Sequence, residues 1–107
     1  WTEVTGTSQS AAVKNGYIAN NGSLVTITLP TTAAVGDIVR VAGKGAGGWK
    51  VAQNASQQIT LPGGVQTTSG TGGSIASTNR YDAVELLCTT ANNGWVILTQ
   101  TGTLTVV

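Results

Sequence analysis

The chain has 107 residues, only 8% of them charged, with five Lys or Arg against four Asp or Glu and no His, Met or Phe. A net charge of +1 gives no electrostatic case for nucleic acid or an anionic membrane surface, and the length allows one domain, 1–107, with a modest core. Low charge on a small body invites association, which fits a surface meant to be covered by copies of itself.

From the amino terminus onward, strand signals outnumber helical ones. Tyr17-Ile18-Ala19-Asn20 lies between the pairs Asn15-Gly16 and Asn21-Gly22 and reads as a short strand between tight turns. Leu24-Val25-Thr26-Ile27-Thr28-Leu29 alternates, with Val25, Ile27 and Leu29 on one face, and stops at Pro30. After a turn or crossover at 31–36, Asp37 to Ala42 alternates again, followed by Trp49 to Gln53 and Gln57 to Leu61. Pro62-Gly63-Gly64 breaks the pattern, and 67–74 is a low-complexity segment that reads as an exposed loop. Asp82 to Thr90 and Gly94 to Thr99 are joined by Ala91-Asn92-Asn93-Gly94, a strong hairpin signal, and Leu104 to Val107 ends the chain as a strand. No window of about ten residues holds a helical period. The tetrapeptide Ile-Thr-Leu-Pro occurs at 27–30 and 59–62 without further alignment around it, and reads as a shared strand ending rather than a repeat. The class is all-β, with roughly seven to ten short strands.

The segment Gly43-Lys44-Gly45-Ala46-Gly47-Gly48-Trp49 contains the spacing Gly43-x-Gly45-x-x-Gly48 of a dinucleotide loop. That motif needs a helix after it, and here Trp49, Val51 and Gln53 alternate with Lys50, Ala52 and Asn54 as a strand. The glycines serve a tight turn or a close backbone approach.

Catalysis and metal binding lack their groups. Cys88 is single, shares a face with Val84 and Leu86, and reads as a small buried apolar residue with no basic neighbour. The carboxylates are Glu3, Asp37, Asp82 and Glu85. Asp37 sits in a turn where it bonds to backbone. Asp82 and Glu85, three apart on a strand, face opposite ways and form no dyad. Glu85, among apolar neighbours, needs a partner in Arg40 or Arg80. Without histidine no serine triad forms. The expectation is no enzyme, no cofactor and no metal. There is no secretion signal or membrane-spanning apolar run, and the missing initiating methionine suggests a processed product or an excised piece.

Binding is the chemistry these residues support best. Trp49 and Tyr81 are the candidate stacking surfaces for a sugar, with Lys44, Lys50, Asn54 and Arg80 as polar partners. Trp49 and Trp95 also fit as core or interface anchors, because both open strands. Lys44 and Lys50 flank glycine-rich backbone that forms an anion nest, or they are two solvated lysines that guard a strand edge.

The runs Gly16-Tyr17-Ile18-Ala19-Asn20-Asn21, Val25-Thr26-Ile27-Thr28-Leu29-Pro30, Val35-Gly36-Asp37, 43–49 and Ala52-Gln53-Asn54-Ala55 together resemble one known module. Thr71-Gly72-Gly73-Ser74-Ile75-Ala76-Ser77-Thr78-Asn79 and Tyr81-Asp82-Ala83-Val84-Glu85-Leu86 continue the likeness over nearly the whole chain. The module is found near the ends of bacteriophage tail fibres and of large bacterial surface-repeat proteins, and is similar to heads that cap adhesin stalks. Members carry Gly where Ser56 stands, and Gly-Asn where this chain has Thr101-Gly102-Thr103. The resemblance implies a fibrous, trimeric, β-rich structural or receptor-binding domain on a virion tail fibre or cell surface.

The expectation for the fold is a short-stranded antiparallel sandwich or β-prism-like body completed by a homotrimer. Loops 43–48 and 67–74 would meet a surface glycan or another cell-surface receptor. The alternatives are a monomeric β-sandwich carbohydrate-binding module and an inert spacer repeat.

Overall fold

The computed structural model describes residues 1–107. Its strands are β1 (Thr2–Val4), β2 (Ser8–Ser10), β3 (Asn15–Ala19), β4 (Val25–Thr28), β5 (Ile38–Gly43) and β6 (Trp49–Ala52), then β7 (Gln58–Thr60), β8 (Ser74–Ser77), β9 (Ala83–Thr90), β10 (Gly94–Thr101) and β11 (Leu104–Val106). The only helical element is a short 3-10 turn at Pro62–Gly64. Two sheets result, ordered β1-β3-β5-β9-β10-β7 and β11-β8-β6-β4-β2.

The nearly all-β class stands, but the sheets are mixed rather than antiparallel. Five of the nine strand pairings are parallel. From β1 to β6 the chain changes sheet at every step, so each strand returns beside the one two before it and runs the same way. This is a flattened coil. Asn15 opposes Val39 in the first sheet and Val25 opposes Trp49 in the second, each 24 positions on. In such a winding each turn of chain rests on the turn before it. The Asn15-Gly16 and Asn21-Gly22 pairs therefore close no hairpin. Only β9 and β10 form one, and its left-handed residue is Asn92 (φ 65°) rather than Gly94.

Each inward face is apolar. Val25, Ile27 and Leu29 are buried, as are Val39 and Val41 on β5, Trp49 and Val51 on β6, and Val84, Leu86 and Cys88 on β9. Each fully buried Val, Leu or Ile contributes about 1.5–3 kcal/mol. All belong to one cluster drawn from both sheets, so the sheets share a single core. Trp49 ties them directly, because its indole Nε1–H on the second sheet donates to the Asp82 carbonyl beside the first, at 2.8 Å. Burial also pushes the Cys88 thiol pKa up, which leaves it in the unreactive protonated form.

The glycine run stacks one loop of the coil on the previous one. A Cβ at Gly45 would overlap the Asn21 backbone, and one at Gly47 the Ser23 backbone. These are the same 24-position partners as in the strands, and Gly47 N–H donates to Asn21 O at 3.0 Å. Close backbone approach is thus the reason for the glycines. Segment 43–48 is accordingly a packed layer with Lys44 and Ala46 exposed, and 67–74 is anchored at both ends by buried Thr67, Gly73 and Ser74.

At one end of the fold, two buried glutamines bind four loops together. Gln53 Nε2 donates to the carbonyls of Gln57, Thr68 and Gly70 at 2.8–3.0 Å, and its Oε1 accepts from the Thr67 hydroxyl. Gln57 Nε2 donates to Pro30 O and Asn92 O, while its Oε1 accepts from Asn54. Every polar atom of both side chains is used, as burial demands. Ser56, between them, has φ 67°, a conformation glycine adopts without strain.

Candidate functional site

The outer side of the first sheet gathers most of the chain's charge. Of its nine charged side chains, Glu3, Lys14, Arg40, Lys44, Arg80 and Glu85 lie there or at its borders. The remaining acids are engaged locally. Asp37 accepts the Ala34 N–H at 2.8 Å, and buried Asp82 accepts the N–H groups of Thr78 and Asn79 at 3.0 and 2.9 Å. Glu85 pairs with Arg40, directly opposite on β5. No three of the acidic and thiol side chains come together.

Of the six candidate ligand residues, three converge. Arg80 Nε donates to the Lys44 carbonyl at 2.9 Å, and its guanidinium lies 5.2 Å from the centre of the Tyr81 ring, within cation–π range. Lys44 Nζ reaches Glu3 at 2.8 Å, and Asn20 Nδ2 donates to the same carboxylate oxygen at 3.0 Å. These two contacts hold the Glu3 pKa below its ordinary value near 4.5, the Lys44 bond first and the Asn20 bond second. The corner thus combines one exposed aromatic ring, two cations, a carboxylate and an amide.

Tyr81 stands out in this group. It is 62% exposed, and its φ of 74° is rare for a bulky side chain. The turn that holds it is fixed by the buried Asp82, whose carboxylate caps Thr78 and Asn79. The strain is held in place by the surrounding structure, a pattern concentrated at ligand-binding sites.

The other three candidates lie elsewhere. Trp49 is fully buried with its indole bonded across the core, so it offers no face to a ligand. Its position at a strand start in strict apolar alternation makes it an inward residue, the core reading of the sequence. Asn54 spends its amide on Leu29 O and Gln57 Oε1, because it belongs to the glutamine-bound junction of loops. Lys50 is on the outer face of the second sheet, opposite Ala76 and Thr26, away from Lys44. The two lysines form no nest.

Sequence reading missed Glu3 and Asn20, which reach the corner only because β1 pairs with β3 and Lys44 follows β5. It also passed over Trp1, whose ring lies over Gly16 on this same outer face. Comparison with known family models gives no match for this chain, and comparison with curated proteins finds no relative.

Proposed function

We propose that this chain is the β-rich end domain of a fibre on a virion tail or cell surface, works as a homotrimer, and offers the Tyr81 corner to a surface glycan. The observation that carries the binding part is Tyr81 itself. A strained, exposed ring beside Lys44 and Arg80 stacks on a sugar face, while the cations, Glu3 and Asn20 bond its hydroxyls. The coil supports the fibre part, because a wound chain with few charges suits end-to-end and side-by-side assembly.

For contact between copies we assign the side of the fold beside the end of β10, next to the turn that carries Tyr81. There Leu61, Pro62, Val65, Leu104 and Val106 line an open groove of about 500 Å³. Exposed apolar surface of this kind marks protein contacts. Light scattering over a hundredfold concentration range should return a constant mass of three times 10.8 kDa. A constant monomer mass would remove the trimer.

The second reading is a monomeric carbohydrate-binding module, favoured by the fact that one chain supplies every residue of the corner. Tyr81→Gly tests both versions of binding. Glycine adopts this φ freely, so stability should stay within about 1 kcal/mol while retention on a glycan array is lost. Unchanged glycan binding by that variant would remove the corner as the site, and an array without any hit for the parent chain would favour the inert spacer.

A further inference from the structure

A second cleft opens on the same outer side, toward the other ends of the strands. It measures about 310 Å³ and is lined by Trp1, Lys14, Asn15, Gly16, Ile38 and Arg40, with Gly36 at its edge. The volume is at the small end of the range for ligand sites, enough for a single ring rather than a chain.

Each wall has a defined chemistry. An ideal Cβ on Gly16 would lie 2.5–2.8 Å from three adjoining indole carbons of Trp1. Such near-equal distances mean that the indole lies flat on the β3 backbone, with one face covered. The residue is nevertheless 67% exposed, so the other face of the ring is open to solvent. Lys14 has φ 64°, and its N–H donates to Ile38 O at 2.7 Å, which fixes this residue at the cleft. Its ammonium belongs to neither of the two ion pairs of the chain. Arg40 meets Glu85 through Nε, which leaves its two terminal nitrogens free to donate elsewhere. Asn15 uses its Nδ2 on Val13 O, and its Oδ1 remains an open acceptor.

We propose that this cleft binds a single carboxylate-bearing pyranose, such as a uronic acid unit of a surface polysaccharide. The sugar ring stacks on the open face of Trp1. Its carboxylate takes the Lys14 ammonium and the terminal Arg40 nitrogens, and its hydroxyls bond Asn15 Oδ1. The ring requirement comes from Trp1 and the charge requirement from the unpaired lysine, so neither a neutral sugar nor a small anion satisfies both. The proposal rests on the carbohydrate-binding reading but uses none of the Tyr81 corner.

The test is a titration of the chain with glucuronate, glucose and acetate, followed by the NMR shifts of the Gly16 amide and the Trp1 indole N–H. Glucuronate should shift both saturably; glucose, which lacks the charge-assisted hydrogen bond, and acetate, which lacks the ring that stacks on Trp1, should each bind about tenfold more weakly. Lys14→Gln and Trp1→Ala should each weaken glucuronate about tenfold, with the melting temperature confirming that both variants are folded. Tyr81→Gly should leave glucuronate binding unchanged. Equal binding of acetate would mean a plain anion site and overturn the proposal, as would equal binding of glucose or no saturable shift at all. Glycan retention that depends on Tyr81 while glucuronate fails to bind would sink this cleft and leave the corner standing.

Discussion

Leu86→Asp should leave no folded protein. Leu86 is fully buried at the middle of β9, between Val39 on β5 and Ile97 on β10, which are themselves buried. A carboxylate there meets apolar neighbours on both sides and no cation. Loss of the leucine costs about 2–5 kcal/mol, and an unpaired buried charge costs several kcal/mol more or is forced neutral. Together these match the total stability of about 5–15 kcal/mol expected of a domain. Leu87→Asp, one residue along and facing outward, is the control and should fold. Circular dichroism and a thermal melt of the two variants check the pair. A cooperative melt for Leu86→Asp would mean that the inner face of β9 is wrongly placed.

Trp49→Ala should cost about 3–5 kcal/mol, in the upper range for a large core truncation. The phenylalanine variants separate packing from hydrogen bonding. Trp49→Phe loses the bond to the Asp82 carbonyl, but that oxygen keeps the Gly43 N–H at 3.0 Å, so the polar part of the loss is about 1 kcal/mol. Trp95 is as deeply buried, yet its Nε1 has no partner. Removing that donor unmakes no bond and relieves a desolvated group, so Trp95→Phe should cost less than Trp49→Phe. Denaturant melts of the two variants decide it. The reverse order would mean that the Trp95 indole is satisfied and the Trp49 bond contributes nothing.

The strands that sequence reading found are those with apolar alternation, and their inward faces agree with the burial of Val25, Ile27, Val84, Leu86 and Cys88. The ones it passed over, β1, β2 and β8, are three or four residues long. Ser8-Gln9-Ser10 has no apolar residue to alternate. The coil itself was illegible for a different reason. No residue of β3 or β4 is identical to its partner 24 positions on; Tyr17 faces Val41 and Val25 faces Trp49. The offset of 24 also holds for one turn only, since Thr2 faces Tyr17 and Ser8 faces Thr26, so a search for repeated letters has no constant spacing to detect.

The site was legible only as residue types. Lys44, Arg80 and Tyr81 attract notice as a basic and aromatic set, but a turn capped by Asp82 and a contact 41 positions long between Lys44 and Glu3 bring the set together. Trp49 is buried because it shares the inward parity of Val51, so the core role its alternation carried holds and the ligand role does not. Glu85 found its partner as expected, and parity again chose between the two arginines, since Arg40 is the residue opposite it.

The junction built on Gln53 and Gln57 has a consequence for where such a protein survives. It joins the segments around Leu29, Asn54, Thr68 and Asn92 by amides, hydroxyls and carbonyls alone. None of these groups takes up or releases a proton over the range in which proteins fold, and none carries a charge that dissolved ions shield. Neither acid nor dissolved salt therefore acts directly on the bonds that close that end of the molecule.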